Sequence, residues 1–389
     1  MASELSKIWL SKPHMGGNEQ YFIQKAFDSN WIAPVGDNIR NFEAFIELYL
    51  MHEVHATVLS SGTAALHLAM IMAGVGPGDT VLVQSLTFSA SANPVKYLGA
   101  HPIFIDSETR SWNLDPDRID EAVALSKARY GKTPKAIVPV HLYGMPAEMD
   151  AINERAKHHG MVVIEDAAEA FGSTYHRRDC GTLGDFGVLS FNGNKIITTS
   201  SGGALLCKDQ AMADRAKYLA TQARMPANHY EHEEVGYNYR MSNVLAGIGI
   251  GQMEVLAIRV EDRNINHHRY KQIFGGLRER GYHVQFQPES PGSRSNRWLT
   301  TILVDPEQNR GITVAEINRE MERRQIECRP LWKPMHMQPV FQDAERVGGA
   351  VSEQLFAQGL CLPSSSNLTE AEWERITKAL EDIFSSDRP

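Results

Sequence analysis

The chain has 389 residues, 42% hydrophobic and 22% charged, with 39 basic against 47 acidic side chains and a formal charge of -8. That length predicts two or three domains with a substantial core. The acidic balance gives nucleic-acid or acidic-membrane binding no compositional support, and no apolar run approaches the roughly 18 residues that span a bilayer.

Met1-Ala2-Ser3-Glu4-Leu5 lacks the basic segment and apolar stretch of a signal peptide. The four cysteines (180, 207, 328 and 361) form no CxxC pair, and with the missing leader they predict reduced thiols, a cytoplasmic location and no metal site.

In chain order, Ser60-Ser61-Gly62-Thr63 opens an apolar helix near 62–74. A helix N-terminus with glycine suits a phosphate, although a plain Ser-capped helix reads the same way. Gly76-Pro77-Gly78-Asp79 turns into a strand, Thr80–Gln84, and Phe88 follows, placed either to stack on a ring or to pack in the core. Strands are expected at 103–106, 135–141 and 161–164, with helices near 89–98, 116–128 and 149–159 between them. Asp115-Pro116 is a good start for the third helix. Alternating strands and helices predict a mostly parallel sheet covered on both faces, which binds ligands beyond the carboxyl ends of its strands.

Asp166 stands at such an end, as a site carboxylate or as a helix N-cap. Lys195 follows the strand-like Gly187–Phe191 and precedes the small, polar Thr198–Gly203. Most lysines are on the surface, but an apolar neighbourhood would expose a nucleophilic amine. A lysine able to form a Schiff base, a carboxylate able to hold a ring nitrogen protonated and a phosphate cradle together suggest pyridoxal phosphate. Further on come Gly236–Ser242, a polar aromatic loop, the small-residue helix 243–252, and one long charged helix from about 253 to 270. That helix is expected to bridge residues 1–255, a large αβα domain, to 256–389, a smaller α/β domain. The latter should hold strands near 298–304 and 326–330, a helix near 313–325 and a last helix opened by the capping box Thr369–Glu372. The tail from Ser385 reads as loose. The 15 histidines show no metal-binding spacing.

Ser61-Gly62-Thr63, Pro139–Gly144, Glu165-Asp166-Ala167-Ala168, the Ser190–Lys195 spacing and Asn238-Tyr239-Arg240 jointly resemble the DegT/DnrJ/EryC-type sugar aminotransferases, within the fold-type I pyridoxal phosphate enzymes. The likeness runs from about Trp31 to the last helix. It implies an α/β fold with a large αβα domain, a mostly parallel sheet and a smaller C-terminal domain. It also implies that Lys195 carries the cofactor and moves the proton, that Asp166 binds the ring nitrogen, and that Phe88 stacks on the ring. Gly62, Thr63 and Ser190 would hold the phosphate, and Asn238 would reach the cofactor of a neighbouring subunit in a homodimer. The reaction implied is transfer of an amino group from L-glutamate to a nucleotide-linked keto sugar.

Glu169 departs from the Gln or His of many relatives near the cofactor's phenolic oxygen, so it is expected to be protonated or aimed elsewhere. With the wording of 192–199 it resembles the branch that aminates C4 of UDP-2-acetamido-2,6-dideoxy-hexos-4-ulose. Arg240, Lys333 and His336 are candidates for the nucleotide sugar or for structural roles. Two alternatives stand beside this reading. A sugar 3-dehydratase would carry histidine in place of Lys195, and a non-catalytic ligand sensor would keep only the fold.

Overall fold

The computed structural model describes residues 6–385; the first five residues and 386–389 of the tail lie outside the described residues. Eight strands form the main sheet: β1 (His55–Leu59), β2 (Thr80–Gln84), β3 (His101–Ile105), β4 (Ala136–Val138), β5 (Val162–Asp166), β6 (Phe186–Ser190), β7 (Gly203–Cys207) and β8 (Glu345–Val347), in the order β1-β7-β6-β5-β4-β2-β3-β8. The strands from β6 through β8 in that order are parallel, whereas β7 runs antiparallel to both β6 and β1.

Successive residues of a strand point to opposite faces, and here both faces are buried. Leu82, Leu206 and Ala204 join one apolar cluster with Ile39, Phe42 and Ile46 of the helix Asp37–Tyr49. Val81, Val83, Leu205 and Cys207 join the other with Leu66, Leu68 and Met70 of the helix Gly62–Met72. This explains why the strands read as unbroken apolar runs rather than alternating ones.

A second, antiparallel sheet has the order Val284–Phe286, Thr300–Val304, Gly359–Leu362, Arg329–Pro330. It packs with Val314–Arg323 and Glu370–Ile383 around Ile317, Met321, Trp373, Ile376 and Leu380. The helix Leu256–Glu279 joins both bodies: Leu256 and Val260 lie in the first core, Tyr270, Phe274 and Leu277 in the small one. At 1.5 Å per residue its 24 residues span about 36 Å.

Strand pairing crosses the expected division at 255/256 three times, once where Ser293–Arg294 pairs with Thr174–Tyr175. β8 comes from beyond it and extends the main sheet beside β3, and Ile8 from before it bridges to Ile326 in the small core. Other boundaries also moved. The helix expected near 89–98 is a 3-10 turn, Ser89–Ser91, followed by Asn93–Tyr97, since Pro94 favours a helix start. The helix at 116–128 begins as a 3-10 turn capped by Asp115 and ends on left-handed Gly131. The Thr369–Glu372 capping box is present. All four cysteines are buried and unpaired, and no single helix among the described residues is long and apolar enough to cross a membrane.

Candidate active site

The carboxyl ends of β1, β2, β4, β5 and β6 meet the start of β7 at one edge of the sheet, and Gly62, Thr63, Phe88, Asp166, Glu169, Ser190 and Lys195 converge there, whereas Asn238, Arg240, Lys333 and His336 do not. Ser61 leaves β1 and caps the helix Gly62–Met72 by accepting from Ala64 N at 3.0 Å. The first N–H groups of any helix lack intrahelical acceptors, and Gly62 and Thr63 line a cleft of about 170 Å³ with Ser190, Ser201 and Gly202. The cradle is tight. A Cβ on Gly62 would lie 3.1 Å from Ser190 Cβ, and one on Gly203 would lie 2.7 Å from Leu189 O and run into Gly62 N.

Asp166 ends β5 in the floor of this cleft. Its Oδ2 accepts from Ser91 Oγ at 2.7 Å and its Oδ1 from Ala168 N at 3.2 Å, while Ser91 Oγ pairs with Thr87 Oγ1 at 2.9 Å. Burial pushes the Asp166 carboxyl above the ordinary aspartate range, and the Ser91, Ala168 and Lys195 interactions offset only part of this.

Behind it, Glu165 is a fully buried post. Its Oε1 accepts from His141 Nε2 at 2.6 Å and from Gly181 N, and its Oε2 from Leu183 N at 2.8 Å and Gly184 N at 3.0 Å. Burial alone would raise this carboxyl, but the His141 bond and the backbone donors outweigh it and hold it below the usual glutamate range. Ala147 N donates to His141 Nδ1 at 2.9 Å, which places the ring proton on Nε2. Cys180 completes a nitrogen, oxygen and sulfur cluster with these two. Its histidine and glutamate are already engaged by N–H donors, so the cluster braces the strand end rather than offering ligands to an ion.

Lys195 Nζ lies 3.6 Å from Glu169 Oε1 and 4.1 Å from the Trp298 ring centroid. Glu169 Oε2 accepts from Tyr143 N at 2.7 Å. Burial raises the Glu169 carboxyl, Lys195 and the Tyr143 N–H pull it down, and Asp166 adds to the rise. The cleft therefore holds two buried carboxylates and one amine. A protonated ring nitrogen would pair with Asp166, and a phosphate would meet the free N–H groups at the Gly62–Thr63 helix start, so these residues fit pyridoxal phosphate.

Phe88 is 52% exposed and lines the cleft, with its ring 5.3 Å from that of Trp332; core packing is not its role. The cleft opens into a cavity of about 930 Å³ that shares Thr87, Phe88, Asn194, Trp298 and Trp332 with it and adds Lys333 and Arg329. Asn238 is exposed and outside the cleft of its own chain, with its backbone bridged to Thr221. Arg240 is bridged to Leu59 beside the cradle, and its buried Nε has no partner. His336 does not line either space: Nδ1 meets Ser85 Oγ at 2.6 Å and Nε2 meets Glu353 Oε1 at 3.0 Å. Trp298, Trp332 and Ser91 carry no signal in the sequence, and His141 and Glu165 stand within the quoted motifs without an assigned role. They arrive from distant segments, and only the doubled acid Glu165-Asp166 hinted at a second carboxylate with its own work.

The aminotransferase description DegT/DnrJ/EryC1/StrS matches residues 13–381. EpsN of Bacillus subtilis, by its name a pyridoxal phosphate-dependent aminotransferase, is 48% identical over 382 residues, 97% of this chain and 96% of that protein. GDP-perosamine synthase of Caulobacter vibrioides is 36% identical over 98% of this chain and all of its own length. The solved aminotransferase TlmJ from Streptoalloteichus hindustanus superposes with a TM-score of 0.86 at 27% identity, covering 97% of this chain and 98% of that one. Sequence, fold and cleft agree: the chain belongs to the DegT/DnrJ/EryC1/StrS aminotransferase family and is a pyridoxal phosphate-dependent aminotransferase.

Proposed function

We propose that the protein transfers an amino group from L-glutamate to C4 of a nucleotide-linked 4-keto-6-deoxy sugar, with UDP-2-acetamido-2,6-dideoxy-hexos-4-ulose as substrate, and makes a UDP-4-amino sugar for surface glycans or glycoproteins. The observation that carries this reading is the placement of the Lys195 amine beside Glu169, in a cleft floored by Asp166 and open to the 930 Å³ cavity. Bound pyridoxal phosphate supplies the electron sink and carries the amino group between the two substrates.

In this reading Lys195 bonds the cofactor and moves the proton, and Asp166 keeps the ring nitrogen protonated. Gly62, Thr63 and Ser190 hold the phosphate, and Phe88 covers the ring. Glu169 stands at the ring's phenolic side, where its raised carboxyl suits a proton donor better than a second anion. Lys333, which lines the larger cavity, faces the nucleotide diphosphate, whereas Arg240 lines neither space and lies within electrostatic reach of Glu43. Asn238 serves a neighbouring subunit, so the working unit is a homodimer. His336, with both ring nitrogens engaged, supports the segment carrying Trp332 and Lys333 rather than meeting the sugar. The GDP-perosamine synthases among the relatives favour a GDP-linked keto sugar as the second reading.

Absorbance of the purified protein, followed through addition of L-glutamate and then the keto sugar, tests both halves. The cofactor band is expected to bleach with glutamate and return with the UDP sugar. Return with a GDP-linked keto sugar alone transfers the assignment to the second reading, and no bleaching with glutamate overturns the donor.

A further inference from the structure

We propose that Trp298 is a positioning residue for the amine of Lys195: its indole N–H holds the carbonyl that precedes the lysine, and its ring face receives the ammonium. This rests on the reading of Lys195 as the cofactor-bearing residue.

Three observations carry it. Trp298 Nε1 donates to Asn194 O at 2.6 Å, and Ser11 Oγ donates to the same carbonyl at 2.7 Å. The backbone at the start of Lys195 is thus held from two sides. Lys195 Nζ sits 4.1 Å from the ring centroid, within the range in which an ammonium is attracted to an indole face. The ring itself has no freedom to drift. It is 1% exposed and stacks on Tyr143 at 6.4 Å with an interplanar angle of 19°, and Tyr143 stacks in turn on Trp332.

The backbone of Trp298 is fixed as firmly. Its N–H donates to Asn296 Oδ1 at 2.9 Å, and Asn296 Nδ2 donates to Glu169 O at 3.0 Å and Phe171 O at 2.9 Å. The indole is therefore registered to the loop that follows Asp166. Its carbonyl accepts from Nη1 of the buried Arg263, whose Nη2 donates to Ser11 Oγ at 3.0 Å. One guanidinium thereby braces both groups that grip Asn194 O. An amine released from the cofactor during turnover must return a proton to one carbon, and proximity of this kind commonly decides such a step. The ring face and the Glu169 carboxyl, 3.6 Å from the amine, together keep it in reach.

The test uses the apoprotein and two cofactor forms. Pyridoxal phosphate attaches to Lys195 by condensation of amine and aldehyde with loss of water, followed by its absorbance and located by borohydride reduction and peptide mass. Pyridoxamine phosphate fills the same cleft without bonding to the lysine, so its affinity reports the pocket alone. Trp298→Phe keeps a ring face and loses the N–H, and attachment should slow roughly two- to tenfold, the worth of one net hydrogen bond. Trp298→Leu loses both contacts and should slow it by a further factor of roughly three to thirty. In Trp298→Phe, which keeps a ring on the wall of the cleft, pyridoxamine phosphate affinity should stay within about twofold of wild type, and in turnover the loss should fall on kcat rather than KM.

Attachment at the wild-type rate in Trp298→Leu overturns the proposal. So does a parallel loss of pyridoxamine phosphate affinity in Trp298→Phe, which would make the tryptophan only a wall of the pocket. If Trp298→Leu does not fold, Trp298→Phe alone decides by the same two measurements. Attachment of the wild-type protein at a lysine other than 195 sinks the underlying reading instead, and it is recognised before any variant is made.

Discussion

Replacing Glu165 with glutamine, the mildest change available there, should be unexpectedly damaging. The carboxylate receives four donors and offers none: His141 Nε2 and Gly181 N on one oxygen, Leu183 N and Gly184 N on the other. A glutamine must turn an NH2 toward one of these pairs, which leaves two buried donors unanswered and facing a third. The histidine has no tautomer to spare, because Ala147 N already donates to its Nδ1. Each buried donor left without an acceptor costs about 1–3 kcal/mol, which puts Glu165→Gln near ~4 kcal/mol. For 389 residues at about 2.1 cal/mol/K of unfolding entropy each, that is a fall of roughly 5 °C in Tm. Glu165→Ala, which strands all four donors, should fall further.

The pH dependence has a definite sign. The folded-state pKa of Glu165 lies below its ordinary value of 4.5. Its contribution is therefore fully present above that value and is lost as pH falls through the folded one. The gap between wild type and Glu165→Gln should be constant near neutrality and close in acid. Scanning calorimetry of both apoproteins from pH 7 downward measures it. A glutamine variant melting within about 1 °C of wild type at pH 7 would refute the four-donor reasoning.

Gly203→Ala should abolish cofactor binding and lower stability too, because every atom nearest the new methyl is backbone of the paired segments. The new methyl would sit 2.5 Å from Ser61 C and 2.7 Å from Leu189 O, inside the cradle, and titration with pyridoxal phosphate reads the loss. Asp166→Asn should separate stability from function. The folded-state carboxyl is raised, so its contribution to apoprotein stability declines as pH climbs from the ordinary aspartate range through the folded value. Urea midpoints of the asparagine apoprotein should gain on wild type with rising pH, whereas the cofactor should stabilise wild type alone. Lys195→Ala should eliminate turnover and leave no cofactor adduct after borohydride reduction; near-normal activity would overturn the assignment of that amine.

The motifs carried by contiguous residues were legible beforehand. Ser61-Gly62-Thr63 at a helix start, Asp166 at a strand end and Lys195 after a strand are local statements, and the cleft gathers all three. Strand Thr80–Gln84 was found at its observed bounds because a turn precedes it and its apolar run is unbroken. The helices Glu19–Asp28 and Asp37–Tyr49 and the strands β7 and β8 were missed. The three residues of β8 carry no pattern, and they become a strand only because β3 presents an open edge.

By itself, then, the sequence determined the αβα layering and the identity of the chemical groups, because periodicity, turns and helix caps act over a few residues. Tertiary structure alone decided how those groups are held. Trp298 lies 103 positions from Lys195, Ser91 lies 75 from Asp166 and His141 lies 24 from Glu165, yet each pair is in contact. Residues so far apart are brought together by the burial of two sheet faces and by one long helix that belongs to both cores. That cooperation of many weak contacts leaves no mark at any single position.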